Sequence, residues 1–366
     1  SYPQPGEGVF QHSPDSRIFT FDKGRFQAWG KVGFGIRAND HMDSVYNNYG
    51  VRYTRLYCDG KLVFASDVNN IPVSCNRMVN SWGDYDHFLH TKIWFMKSFI
   101  EPGNTLPILR AGADRGIINF NQQRDYHLRY VVSDAFGNQT VKEFTVHGEP
   151  QAIPSVAKPE GGVPLYCKKD NRINADGVRL DIQKGLLAKD GWLLMRTVPM
   201  GNALSMGYSF SKAPYPLFNY AEINIKAKDG IRNPEKLYIA ARNSAAGGGP
   251  SAYCGGIYTN GWVKGRFREL SDIYFLTSDE TAPLITKMNL DPRHLFFKIT
   301  DSGSGLKAYQ ASVDGEFILL EFGKNKEVFF CDLTETPVQR TGKERTLKVS
   351  AVDNRDNRRE FVTKIK

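Results

Sequence analysis

The chain contains no uninterrupted apolar run of about 18 residues, so it has no stretch fit to cross a bilayer as a helix. It has no C-x-x-C pair. Its five cysteines (Cys58, Cys75, Cys167, Cys254 and Cys331) lie far apart, which leaves zinc knuckles and thioredoxin-type chemistry without ligands. An odd count also excludes a fully paired disulfide framework, and single buried thiols are expected. None of the seven histidines (His12, His41, His87, His90, His127, His147, His294) falls in an H-E-x-x-H, H-x-H or H-x-x-x-D spacing. There is no G-x-S-x-G elbow, no Walker A loop and no G-x-G-x-x-G turn. No catalytic residue can be named, no enzyme can be assembled from motifs, and no cofactor is expected.

What is present is ordinary globular material with a β bias. Of 366 residues, 41% are hydrophobic and 24% charged, a length and balance that suit two or three folded domains. Tyr (17) and Phe (23) are plentiful and favour strands. The net charge of +9 is uneven: residues 340–366 carry nine basic side chains against four acidic ones. Such a tail raises nucleic acid as a partner. Lys348–Val352 nevertheless reads as a strand flanked by solvated charges, so no nucleic-acid partner is expected.

Residues 1–28 read as an extended lead-in. From Trp29 the pattern alternates with period two, as in Lys31–Arg37 and Arg52–Cys58, the mark of strands with one buried face. Asp59-Gly60 follows as a turn pair able to adopt positive φ. A first domain at 29–148 is followed by a proline-bearing linker at 149–164. A middle β domain occupies 165–278, with strands expected at Val178–Ile182, Gly191–Arg196, Ala221–Lys226, Lys236–Arg242 and Ile273–Thr277. The last domain is 279–366.

An internal repeat links the outer domains. Gly50 precedes Asp59-Gly60 by nine residues, and Gly305 precedes Asp314-Gly315 by nine. A strand ending in Asp runs before each glycine (Phe34–Asp40 and Phe296–Asp301). Asp134 and Asn138 share an offset of four with Asp353 and Asn357, and each pair leads into Glu-Phe. The expected architecture is therefore all-β: two immunoglobulin-like β-sandwich domains flanking a different middle β domain. Asp301-Ser-Gly-Ser-Gly305 and Asp353-Asn-Arg-Asp356 contain oxygen ligands of the kind calcium takes. Arg355, Arg358 and Arg359 oppose that, so both segments are read as plain turns and no metal site is expected.

The two copies differ in length. Asp59 to Asp134 spans 75 residues, against 39 from Asp314 to Asp353, so the first copy carries a 36-residue excess. Much of it is placed between Asn69 and Arg115. Insertions on a β scaffold are common seats of binding, and aromatic faces suit sugar rings. The candidate binding residues are Trp82, Tyr85, His87, His90 and Trp94, with Trp82 and Tyr85 expected at the surface. The competing expectation is that Phe88, Trp94 and Phe95 cap the sandwich or pack against the middle domain. A short helical turn within Ser81–His90, begun by Asp84 or Asp86, fits either.

Several motifs in order carry a family resemblance: Trp29–Asp40, Asn48–Tyr53, Asp59–Lys61, Met96–Phe99, Glu101–Asn104, Arg124–His127, Gly255–Trp262 and Thr281–Pro283. Together they resemble the non-catalytic C-terminal region of lysostaphin-type (LytM-type) zinc metallopeptidases of Gram-negative envelopes. That family's H-x-x-x-D and H-x-H zinc ligands are absent, so no metal or catalytic residue carries over. The resemblance implies a cell-envelope location, periplasmic or surface-exposed. It also implies a non-catalytic role in positioning or regulating an upstream peptidoglycan peptidase. Ser1 opens the chain without Met, which fits a removed signal peptide or a longer parent protein. The alternative is an independent adhesin or glycan-binding protein of sandwich modules. The expected partners are accordingly an upstream peptidase domain or cell-wall glycan.

Overall fold

A computed structural model describes residues 7–11, 16–20, 25–41, 47–153, 158–201, 203–210, 217–243, 252–270, 272–288, 294–322, 327–332, 336, 338 and 342–365. The protein is all-β, built from sheets packed face to face in three successive modules.

The third module shows the design at its simplest. One sheet runs Leu284–Lys287, His294–Thr300, Val328–Asp332, Glu321–Phe322, and the other Glu316–Ile318, Leu306–Val313, Arg345–Asp353, Arg358–Ile365. In chain order this is first-second-sixth-fifth against fourth-third-seventh-eighth, the strand arrangement of an immunoglobulin-like sandwich. Alternation drives it: Leu295, Phe297 and Ile299 from one sheet meet Val313, Leu347, Val349 and Ala351 from the other, all essentially without solvent contact.

The first module repeats the second of those sheets. Its strands Lys61–Asp67, Tyr53–Cys58, Asp125–Ser133 and Gln139–Gly148 pair in the same order, extended by Leu109–Ala111 at one edge and Arg25–Ala28 at the other. Register agrees as well. Cys58 faces Leu128 as Val313 faces Leu347, and Tyr53 faces Ser133 as Ala308 faces Val352. Asp59-Gly60 and Asp314-Gly315 turn the equivalent hairpins, all four residues with φ between +48° and +91°. Cys58 is partly buried and packs against the module's core, at the position the third module gives to fully buried Val313. Phe34, Leu56, Phe64, Phe120, Leu128 and Val146 fill that core.

Two sequence expectations need correction here. The described parts of the lead-in, 7–11, 16–20 and 25–28, are extended but not separate. Glu7–Gln11 pairs with Ser16–Thr20 and with Phe34–Ile36, and Arg25–Ala28 pairs in parallel with Thr145–Gly148. The edges of the first sandwich offer free backbone groups, and these segments take them. The strand expected to run from Phe34 to Asp40 stops at Ile36. Asp40–His41 pairs instead with Asn48–Tyr49 in a separate ribbon.

The middle module packs two five-stranded sheets around Ile182, Leu193, Leu217, Ile223, Ile225, Leu237, Ile239, Val263 and Leu276. Val178–Ile182 and Ala221–Lys226 form as the alternation predicts. Leu237–Asn243 and Asp272–Ser278 shift by a residue at their ends. The strand expected over Gly191–Arg196 divides. Gly191–Leu193 pairs with Val163–Leu165, whereas Arg196–Val198 joins the second large sheet. Among the described residues no helix is long and apolar enough to cross a membrane.

Candidate functional site

The insert forms a wedge packed onto the first module's core. A 3-10 turn over Val73–Met78 leads into helices Val79–Trp82 and Tyr85–Thr91, the second capped by Asp84, whose carboxylate accepts the N–H of His87. Trp82 is not at the surface. It is 5% exposed, sits in the first module's core, and its indole N–H donates to Lys97 O at 3.1 Å. Tyr85 is half-buried, and burial is the leading cause that raises its phenol. His87 packs edge-on against Phe95 at 5.0 Å, and Trp94 does the same with Phe88 at 5.5 Å. His90 is exposed and its ring bonds Asp86 O within the helix. Trp82 belongs to the first module's core and Trp94 packs against it, whereas His90 is exposed. Their neighbour Lys97 makes a buried ion pair with Glu101 at 2.9 Å.

The wedge also braces the middle module. Arg77 donates to Leu217 O at 3.0 Å and to Glu269 at 2.7 Å, and the Gly103 N–H donates to Ala188 O. The extra residues thus couple two modules through Arg77 and Gly103.

A concave surface lies elsewhere, where the third module meets the middle one. The outer face of the strands Leu237–Asn243 and Asp272–Ser278 carries Tyr238 and Phe275, joined by Tyr253 from Ala252–Tyr253. Tyr238 and Tyr253 lie 5.5 Å apart, ring to ring, and the Arg242 guanidinium stands 5.5 Å over Phe275. The loop Asp301–Gly305 of the third module closes the far side. Together they line a cleft of about 680 Å³, a volume in the range of small-ligand sites.

The seam behind the cleft is tightly bonded. Arg355 reaches across from the third module and donates to the carbonyls of Glu235, Leu237 and Gly256. In return Lys236 donates to Arg355 O and Asn357 Oδ1, both at 2.7 Å. Asn357 Nδ2 donates to Asp279 O at 2.9 Å. Gly303 is required here, since any side chain at that position would collide with the Asp279 carboxylate.

Sequence reasoning found the Asp301–Gly305 loop but missed Tyr238, Arg242, Tyr253 and Phe275. Tyr238 and Phe275 fall on strands that were expected, yet as single aromatic residues they carry no mark distinguishing the outer face from the core.

The Zu5-like domain family matches residues 163–279, less than half of the chain and close to the bounds of the middle module. No curated protein matches. Among solved structures, the chain is similar to a Ca2+-stabilised adhesin that helps an Antarctic bacterium reach out and bind ice. The identity is 9% over 93% of this chain and 95% of that one, with a TM-score of 0.14, too low for an argument from arrangement. None of these findings bears on a role beside a peptidase.

Proposed function

We propose that the chain is a non-catalytic, surface-exposed binding protein of the adhesin or glycan-binding kind, with its ligand in the cleft between the middle and third modules. The cleft carries this reading. Tyr253, partly exposed, offers a ring face for the C–H surface of a sugar, over a floor built by Tyr238 and Phe275, which are 4% and 6% exposed. Arg242 supplies donors for hydroxyls at the cleft's margin. The modular β architecture supports it, because a rigid chain of sandwiches holds such a cleft at a fixed place along its length. The insert, being packed between modules, serves to set their relation.

The test is a glycan array probed with the full chain, including cell-wall fragments and surface polysaccharides. Retention of a defined saccharide class, weakened at least tenfold by Tyr253→Ala in a protein of unchanged melting temperature, is the expected result. Absence of retention on every saccharide, or retention indifferent to Tyr253, would contradict the reading.

A further inference from the structure

We infer that Asp279, Asp301 and Asp353 hold a divalent cation of calcium's size at the seam between the middle and third modules. The inference does not depend on what occupies the cleft.

One carboxylate oxygen from each residue lies within 4.8 Å of the other two. Calcium binds oxygen at about 2.3–2.6 Å, so ligands on opposite sides of one ion stand about 4.6–5.2 Å apart at most. Three oxygens within that limit of one another are close enough to share a single calcium. Magnesium usually keeps several waters and takes one or two carboxylates, so a set of three carboxylates favours calcium.

The cluster lacks a cation of its own. Asp353 is 0% exposed and Asp279 is buried, yet among the described residues none of the three carboxylates forms an ion pair. The arginines that make the sequence look unfavourable for a cation point elsewhere. Arg355 donates to backbone carbonyls, Arg358 pairs with Glu360, and Arg359 donates to Pro283 O. Lys236 is spent on Arg355 O and Asn357, and Lys307 on Asp356. What the carboxylates receive is neutral donors. Asp279 accepts from the N–H groups of Thr281 and Ser304, Asp301 from Gly303 and Gly305, and Asp353 from Arg355 and Asn357. These offset part of the repulsion between three close negative charges but do not neutralise them.

A second observation is independent of the carboxylates. Ser304 is 2% exposed and its hydroxyl has no hydrogen-bond partner, although its own N–H donates to Asp279 Oδ2 at 2.7 Å. A buried hydroxyl left without a partner is costly, and native proteins leave few. Here it belongs to the residue wedged between the two glycines that bind Asp301, where a cation would take it as a further oxygen ligand.

The full chain, stripped with EDTA and dialysed, is titrated with calcium by calorimetry and melted with and without it. Binding of one equivalent is expected, with the melting temperature raised by roughly 5 °C at saturation and magnesium binding at least tenfold weaker. Asp301→Asn should abolish the calcium-dependent shift, and Ser304→Ala should weaken binding several-fold. No heat and no shift in the parent at about 10 mM calcium, above the millimolar end of known calcium sites, would overturn the inference. So would an Asp301→Asn protein that binds as the parent does. Should that variant fail to fold, the parent titration and Ser304→Ala decide.

Discussion

Asp314 Oδ1 accepts the backbone N–H of Thr346 at 2.7 Å, tying a hairpin turn to the strand beside it. The same device recurs in the first module, where Asp59 Oδ1 accepts the His127 N–H at 2.9 Å. A nearby arginine completes each copy: Arg345 on Asp314 and Arg124 on Asp59. Arg345 chiefly, and then the Thr346 N–H, hold the Asp314 carboxyl below its ordinary value. At Asp59 burial opposes the shift, and the His127 N–H and Arg124 outweigh it.

A carboxyl lowered in the folded state adds stability above its unfolded pKa and loses it as pH falls through the folded one. Asp314→Ala should therefore lower the melting temperature at pH 7 and show a smaller further loss than the parent between pH 5 and pH 3. Equal acid sensitivity in the two proteins would count against the tie.

Asp272 behaves in the opposite sense. Burial, with a contribution from Glu269, raises its carboxyl to about 6. The folded protein then holds a proton that the unfolded chain releases near pH 4, so stability falls as pH rises from about 4 through 6. Asp272→Asn should raise the melting temperature at pH 8 and leave it little changed at pH 4. Thermal melts across that range read the difference directly.

Trp82→Ala removes a side chain from the first module's core and deprives Lys97 O of its indole donor. A loss of about 3–5 kcal/mol is expected for that module, seen as an earlier first transition in calorimetry. At temperatures where the variant stays folded, retention on saccharide should be unchanged. A folded variant with specifically lost retention would restore the insert as a binding surface.

The repeat was legible because it is written in residues that do local work. Asp-Gly pairs are needed where φ is positive. Asp134 and Asp353 each accept the N–H and side-chain amide of an Asn four residues on. Turn chemistry of this kind acts over a few positions, so matched offsets in sequence become matched turns in space. The strands followed from alternation for the same reason. The cleft and the carboxylate cluster were not legible because they depend on which modules meet. Asp279, Asp301 and Asp353 are far apart in the chain, and their approach is set by Arg355 and Lys236 reaching across the seam. Trp82 misled because an aromatic residue in an insertion looks the same in sequence whether it faces solvent or joins the core beneath it. The lead-in misled because edge pairing is a backbone matter that side-chain patterns record weakly.

The most direct measurement of the central claim is the affinity of the full chain for the saccharide class it retains, compared between the parent, Tyr253→Ala and Arg242→Ala. Phe317→Ala, on the exposed outer side of the third module away from the cleft residues, serves as control. Ligand in the cleft predicts at least a tenfold loss in each of the first two variants and none in the control, with all melting temperatures near the parent's. Affinity unchanged in the cleft variants, or lost in the control alone, would place binding elsewhere and contradict the account.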